Sequence, residues 1–172
     1  VEYLYNLNSL LGFVAQLSGI LQVRPLKNMI QTITHDLINF DTLSVLLLDP
    51  SKGTYSEVED KSLASWHITH PFFEELKKGP RFQVVESSES HKFNQGIKEL
   101  LGTHVTGYCT LQLTSKDELK GVVVFSNRYY PIRPISKDKE CIVEFLAQTI
   151  YLTMKSAIYY EGIKDHQKYL KA

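Results

Sequence analysis

The sequence predicts an α+β domain in which one helical layer packs on a sheet of antiparallel strands. Three features carry this expectation. Val105–Asn127 (VTGYCTLQLTSKDELKGVVVFSN) reads as a β-hairpin, helical periodicity marks both ends of the chain, and the apolar segments between are short and separated by turn residues. In the hairpin, Val105, Gly107, Cys109, Leu111 and Leu113 alternate with Thr106, Tyr108, Thr110 and Gln112, the period of a strand with unlike faces. Gly121–Phe125 is a continuous apolar run rich in β-branched residues, as expected of a central strand buried on both sides. Thr114–Lys120 carries four charges in seven residues and is expected to be a solvated connection.

In chain order, Tyr3–Leu21 is expected to form the first helix. Leu4, Leu7, Leu11, Val14 and Leu21 share a stripe that Leu10 and Leu17 widen, while Gly12 and Gly19 each weaken the helix by roughly 1 kcal/mol relative to Ala. Val23–Pro25 breaks it, and Leu26–Leu37 is a second helix with Leu26, Met29, Ile30, Ile33 and Leu37 on one face. Leu43–Leu48 is an apolar strand closed by Asp49-Pro50, and Ser51-Lys52-Gly53 turns the chain into Thr54–Val58. Asp60–Gly79 is the least regular part; Pro71 starts a short helix over Phe72–Lys78 that Gly79-Pro80 stops. Arg81–Val85 is a short strand, and the serines of Glu86–Ser90 cap a helix over His91–Leu101. After the hairpin and a proline-held loop, Asn127–Pro134, Ser136 caps a long helix reaching at least Tyr159. Its buried face is expected to include Ile142, Val143, Phe145, Leu146, Ile150 and Met154.

Composition narrows the role. With 43% hydrophobic residues, the 172-residue chain can build a core without staples. Nineteen basic and nineteen acidic residues cancel, which argues against nucleic acid or an anionic membrane as partner. No apolar run approaches the roughly 18–20 residues of a membrane span. The N-terminal VEYLYNLNSLLGFVAQL lacks the basic start and small-residue cleavage site of a signal peptide, so the expected location is cytoplasmic. Cys109 and Cys141 fall on a strand and a distant helix and are expected to be buried, reduced thiols.

The order of elements resembles a GAF domain, the small-molecule sensory module of signalling proteins. Leu43–Asp49 (LSVLLLD) after an amphipathic helix is similar to the first strand of that family. Gly107–Asn127, ending in GVVVFSN, is similar to its hydrophobic hairpin, and Ile135-Ser136-Lys137-Asp138 with the helix through Ala147, Gln148 and Ala157 is similar to its closing helix. The resemblance spans Pro25–Tyr160, with Ile135 standing where the family carries an aromatic. It implies a sheet with the terminal helices on one face and a helical or loop lid, Ser62–Gly79 with Lys92–Leu101, on the other. It also implies a domain plan: a signalling and dimerisation helix over 1–24, the sensory domain over 25–160, and the start of a connector helix over 161–172. No cysteine stands in a Cys-His dipeptide, so bilin attachment is not implied, and two distant cysteines do not make a sulfoxide-reducing centre. No cofactor is expected, and the domain is expected not to be an enzyme.

By the same analogy, Trp66, Phe72, Phe73 and Phe93 of the lid with Tyr108, Thr110 and Gln112 of the hairpin form the candidate ligand site, aromatic walls with a few polar groups. The bland alternative is that these aromatics fill the space and no ligand binds. His67-x-x-His70 with Glu74 has a metal-like spacing, but Pro71 interrupts a shared helical face, and no metal site is assigned. Leu4, Leu7, Leu11, Val14, Met154, Ala157 and Ile158 are the candidate dimer interface, a parallel helical bundle about a two-fold axis. The expectation is a regulatory sensory domain of a multidomain signalling protein, bacterial in source. It would bind a small molecule, form a homodimer through its terminal helices, or both, and signal to a downstream output domain through the C-terminal helix. The other reading is a purely structural dimerisation or interaction domain with a filled pocket.

Overall fold

The alternating and β-branched segments pair into one antiparallel sheet. In the computed structural model, which describes residues 11–58, 65–86 and 105–171 together with Gly96, Glu99 and Leu101, six strands form it. They are β1 (Thr42–Asp49), β2 (Thr54–Glu57), β3 (Trp66–His67), β4 (Phe82–Val85), β5 (Gly107–Ser115) and β6 (Glu118–Asn127), in the order β3-β2-β1-β6-β5-β4. Helices are α1 (11–18), α2 (Val23–His35), α3 (Pro71–Lys78) and α4 (Lys137–Lys171); Gly96, Glu99 and Leu101 are helical too. Residues 1–10, and with them Leu4 and Leu7, lie outside the described residues.

The period of two in β5 separates two cores. Cys109, Leu111 and Leu113, with Val45, Val123 and Phe125, meet Leu26 and Ile30 of α2 and Val143, Leu146 and Ile150 of α4. On the opposite face Tyr108, Val122, Val124 and Leu46 meet Phe72, Phe73 and Leu76 of α3. The terminal helices therefore cover one face and α3 the other, and β6 is buried on both sides as expected. Gly121 allows this close pairing, since a Cβ there would stand 2.5 Å from the Leu46 carbonyl oxygen and 2.7 Å from Leu47 Cδ2.

Several expectations are corrected. Pairing of β5 with β6 continues to Ser115 opposite Glu118, so the connection is a two-residue turn, not the whole of Thr114–Lys120. Lys116 and Asp117 both have positive φ, 54° and 63°, the geometry that matches the twist of a tight hairpin. Of the four charges in this stretch, Lys116 and Asp117 form the turn and Glu118 and Lys120 lie on β6, where Lys120 Nζ reaches Glu118 Oε2 at 2.9 Å. The first helix ends at residue 18, short of Leu21, and Leu17 is its deeply buried leucine, while Leu11 and Leu21 are exposed. Phe145, expected inside, is 57% exposed, and Cys141 is an exposed thiol. β3, two residues paired to β2, was not anticipated.

α4 is long and apolar enough over part of its length to cross a membrane by length and composition alone. Its apolar content has a simpler cause, because Val143, Leu146, Ile150, Met154 and Ala157 are buried on the sheet and α2. The helix runs unbroken through Tyr160 to Lys171, and Glu161 Oε1 accepts from the Val23 amide at 2.9 Å, pinning it to the start of α2.

Candidate functional site

The lid face of β5 presents Tyr108, Thr110 and Gln112 on one side of the strand, all buried. β4 runs alongside in register, with Gln83 opposite Thr110 and Val85 opposite Tyr108; on the other flank Val124 of β6 is opposite Thr110. Alternation fixes these faces, so the polar strip follows from the sequence itself.

Each member is used differently. Gln112 Nε2 donates to the Leu76 carbonyl at 2.6 Å and to the Pro80 carbonyl at 3.2 Å, tying the end of α3 to the sheet. Burial pushes the Tyr108 phenol well above its ordinary range, so it stays a neutral hydroxyl. Thr110 Oγ1 is fully enclosed and makes no hydrogen bond. A buried hydroxyl left unsatisfied costs about 1–3 kcal/mol, which makes this atom an anomaly of the lid face, beside the buried Gln83 Oε1 of the paired residue on β4.

α3 forms because Pro71 occupies its first turn and His70 caps it, Nδ1 accepting from the Phe72 amide at 3.2 Å. An Nδ1 that accepts leaves the proton on Nε2, which lies 3.1 Å from Glu99 Oε2 of the lid. His67 instead turns its Nδ1 to Thr69, so the two histidines serve separate local contacts. Among the described residues no group of three His, Cys, Asp or Glu side chains converges as metal ligands.

The aromatic residues pack on one another. Phe73 stacks on Tyr55 with centroids 4.2 Å apart, Phe72 meets Phe73 edge-on at 5.3 Å, and Trp66 is half-buried against the same cluster. A Cβ on Gly96 would lie 3.0 Å from the Phe72 ring, so the lid passes close over it. Phe93 lies outside the described residues. Tyr55, whose hydroxyl donates to the Leu119 carbonyl at 3.1 Å, is a wall residue that sequence reasoning missed, although its place in β2 signals an inward-facing aromatic. At the hairpin end the lid face opens into a cleft of about 460 Å³ lined by Leu48, Tyr55, Ile68, Lys77, Gln112 and Thr114, among others.

The expected dimer residues separate. Met154 and Ala157 are fully buried in the chain's own core and Ile158 is half-buried against it, because this side of α4 covers the sheet. That part of the expected interface is corrected. Val14 is half-buried and Leu11 is exposed. The outward side of α4 carries Phe145, Leu152 (51% exposed) and Tyr159 (72% exposed), seven residues apart, with Ile163 one turn beyond.

No protein-family model matches the sequence, and no curated protein matches it. Solved structures do match. The GAF domain of the Acinetobacter phosphoenolpyruvate-protein phosphotransferase aligns over 91% of this chain and 95% of its own, with a TM-score of 0.61 and 12% identity. The corresponding domain from Coxiella burnetii aligns over 91% and 96%, with a TM-score of 0.64 and 10% identity. The chromophore-binding domain of Stigmatella aurantiaca phytochrome P1 aligns over 87% of this chain and 60% of its own, with a TM-score of 0.63 and 12% identity. At these TM-scores and coverages, the chain has the fold of a GAF domain.

Proposed function

We propose that this domain is a regulatory sensor in a multidomain cytoplasmic signalling protein, reading a small molecule on the lid face of β5 and passing its state along α4 to a downstream output domain. Its role is regulation, not catalysis. The observation that carries the ligand reading is Thr110 Oγ1, a buried hydroxyl without a hydrogen bond on a strip that also holds Tyr108 and Gln112. A ligand on this face would meet that hydroxyl and the neutral Tyr108 against Trp66, Phe72 and Phe73; Phe93, expected to complete the walls, lies outside the described residues. A thermal-shift screen with cyclic nucleotides, amino acids and their derivatives tests the reading. A stabilising compound whose effect is reduced in Thr110→Val supports it, and no shift from any compound counts against it.

The dimer belongs to the same proposal, with a relocated seam. Phe145, Leu152 and Tyr159 recur at the heptad interval on the exposed side of α4, a spacing that pairs best with a second copy of itself, and Leu11 and Val14 lie on the helix that joins that layer. The plan of a dimerisation helix over 1–24, a sensory domain over 25–160 and a connector over 161–172 fits an exit helix continuous from Lys137 to Lys171. The purely structural reading is favoured by one observation, the direct stacking of Phe73 on Tyr55, which fills the α3 end of the lid face.

A further inference from the structure

A second cleft, of about 370 Å³, lies away from the lid, between the end of β1, the β5–β6 turn and the middle of α4. Its size is within the range of small-molecule sites. Leu47, Pro50, Ile158 and Tyr151 give it an apolar wall, and Lys116, Lys120 and Lys155 border it. The charges are uneven. Glu118 neutralises Lys120 at 2.9 Å, and Asp49 is held by the Ser51 hydroxyl and amide at 2.6 and 3.1 Å. Among the described residues no carboxylate stands within ion-pair distance of Lys116 or Lys155, whose ammonium lies 5.7 Å over the Tyr151 ring. The lid-face cleft has the opposite balance, with Asp117 and Glu118 facing Lys77.

We infer that this cleft binds an organic phosphate monoester with an apolar body, the phosphate between Lys116 and Lys155 and the body on Leu47, Pro50 and Ile158. A monoester carries about −1.5 to −2 charges at neutral pH, which matches two ammonium groups without a described carboxylate at ion-pair distance, Glu118 acting on Lys116 only at longer range. Lys120 and the Tyr151 hydroxyl add donors at the rim. The two lysines come from different elements, so an occupant joins the hairpin turn to α4. This site is independent of the lid-face reading.

Phenyl phosphate titrated into isotopically labelled protein tests the assignment by amide shifts. The expected shifts are confined to residues 47–50, 116–120 and 151–158. Binding should weaken about fivefold or more in Lys116→Asn/Lys155→Gln, and similarly when salt rises from about 50 to about 500 mM. Inorganic phosphate should bind roughly tenfold more weakly, for want of the apolar wall. Both lysines are exposed, and an unchanged melting temperature of the double variant certifies its fold. Sedimentation with phosphatidylcholine vesicles containing phosphatidic acid, if lost in the double variant, supports the same chemistry with a lipid as its source. Absence of localised shifts, equal affinity in the double variant, or inorganic phosphate binding as tightly as phenyl phosphate overturns the inference.

Discussion

Thr110 and Val differ by little more than a hydroxyl for a methyl, and at this position the hydroxyl has no hydrogen-bond partner. In the ligand-free protein Thr110→Val should therefore stabilise the fold by about 1 kcal/mol, measured by chemical denaturation, because it removes an unsatisfied buried group without opening a cavity. A destabilised variant would mean that the hydroxyl is satisfied in the folded state. The two cysteines make a second contrast. Burial, with the Glu140 charge adding to it, pushes the Cys109 thiol far above its ordinary range, whereas Cys141 is exposed. Iodoacetamide should alkylate Cys141 in the native protein and reach Cys109 only after unfolding, as read by peptide mass analysis. At this scale the sequence is half legible. Alternation places Thr110 beside Tyr108 and Gln112, but the bonds of Gln112 depend on the carbonyls of Leu76 and Pro80, brought to it from elsewhere in the chain.

Elements with one clear periodicity were readable, and those with two were not. β6 announced itself as a β-branched run, and β5 by its period of two. The turn between them was misread because charge density signals solvent exposure, not chain geometry. Here strand pairing runs on through the charged stretch and leaves two residues, Lys116 and Asp117, in the turn, both with positive φ. Such a conformation costs an ordinary residue about 1–2 kcal/mol and Asp about 1 kcal/mol or less. Asp117→Gly should accordingly raise the melting temperature by about 2–4 °C. β3 is invisible in sequence because its two residues gain their strand geometry from pairing with Thr54 and Tyr55. α4 was readable in position and only partly in orientation. Apolar residues mark both sides of it, so the pattern placed Phe145 in the core, whereas Phe145, Leu152 and Tyr159 face outward. Cys141, one turn before Phe145, is a built-in probe of that side. If two copies pair in parallel along this seam, mild oxidation should link them through Cys141. Non-reducing electrophoresis would show the dimer in the wild type and not in Leu152→Glu.

For the whole molecule, the sheet divides labour between its faces. Terminal helices seal one face with a continuous apolar core, and the lid face carries both the polar strip and the Tyr55, Phe72 and Phe73 cluster. α4 belongs to the sealed face, so under the proposed function a signal from the lid side has to cross the sheet. β5 is the direct route, since Tyr108, Thr110 and Gln112 face the lid while Cys109, Leu111 and Leu113 touch the helical core. The decisive measurement is the thermal shift produced by candidate small molecules on the wild type and on Thr110→Val side by side. The account predicts at least one compound that raises the wild-type melting temperature by several degrees and the variant's by clearly less. A full screen without any shift, or a shift indifferent to Thr110→Val, would contradict it.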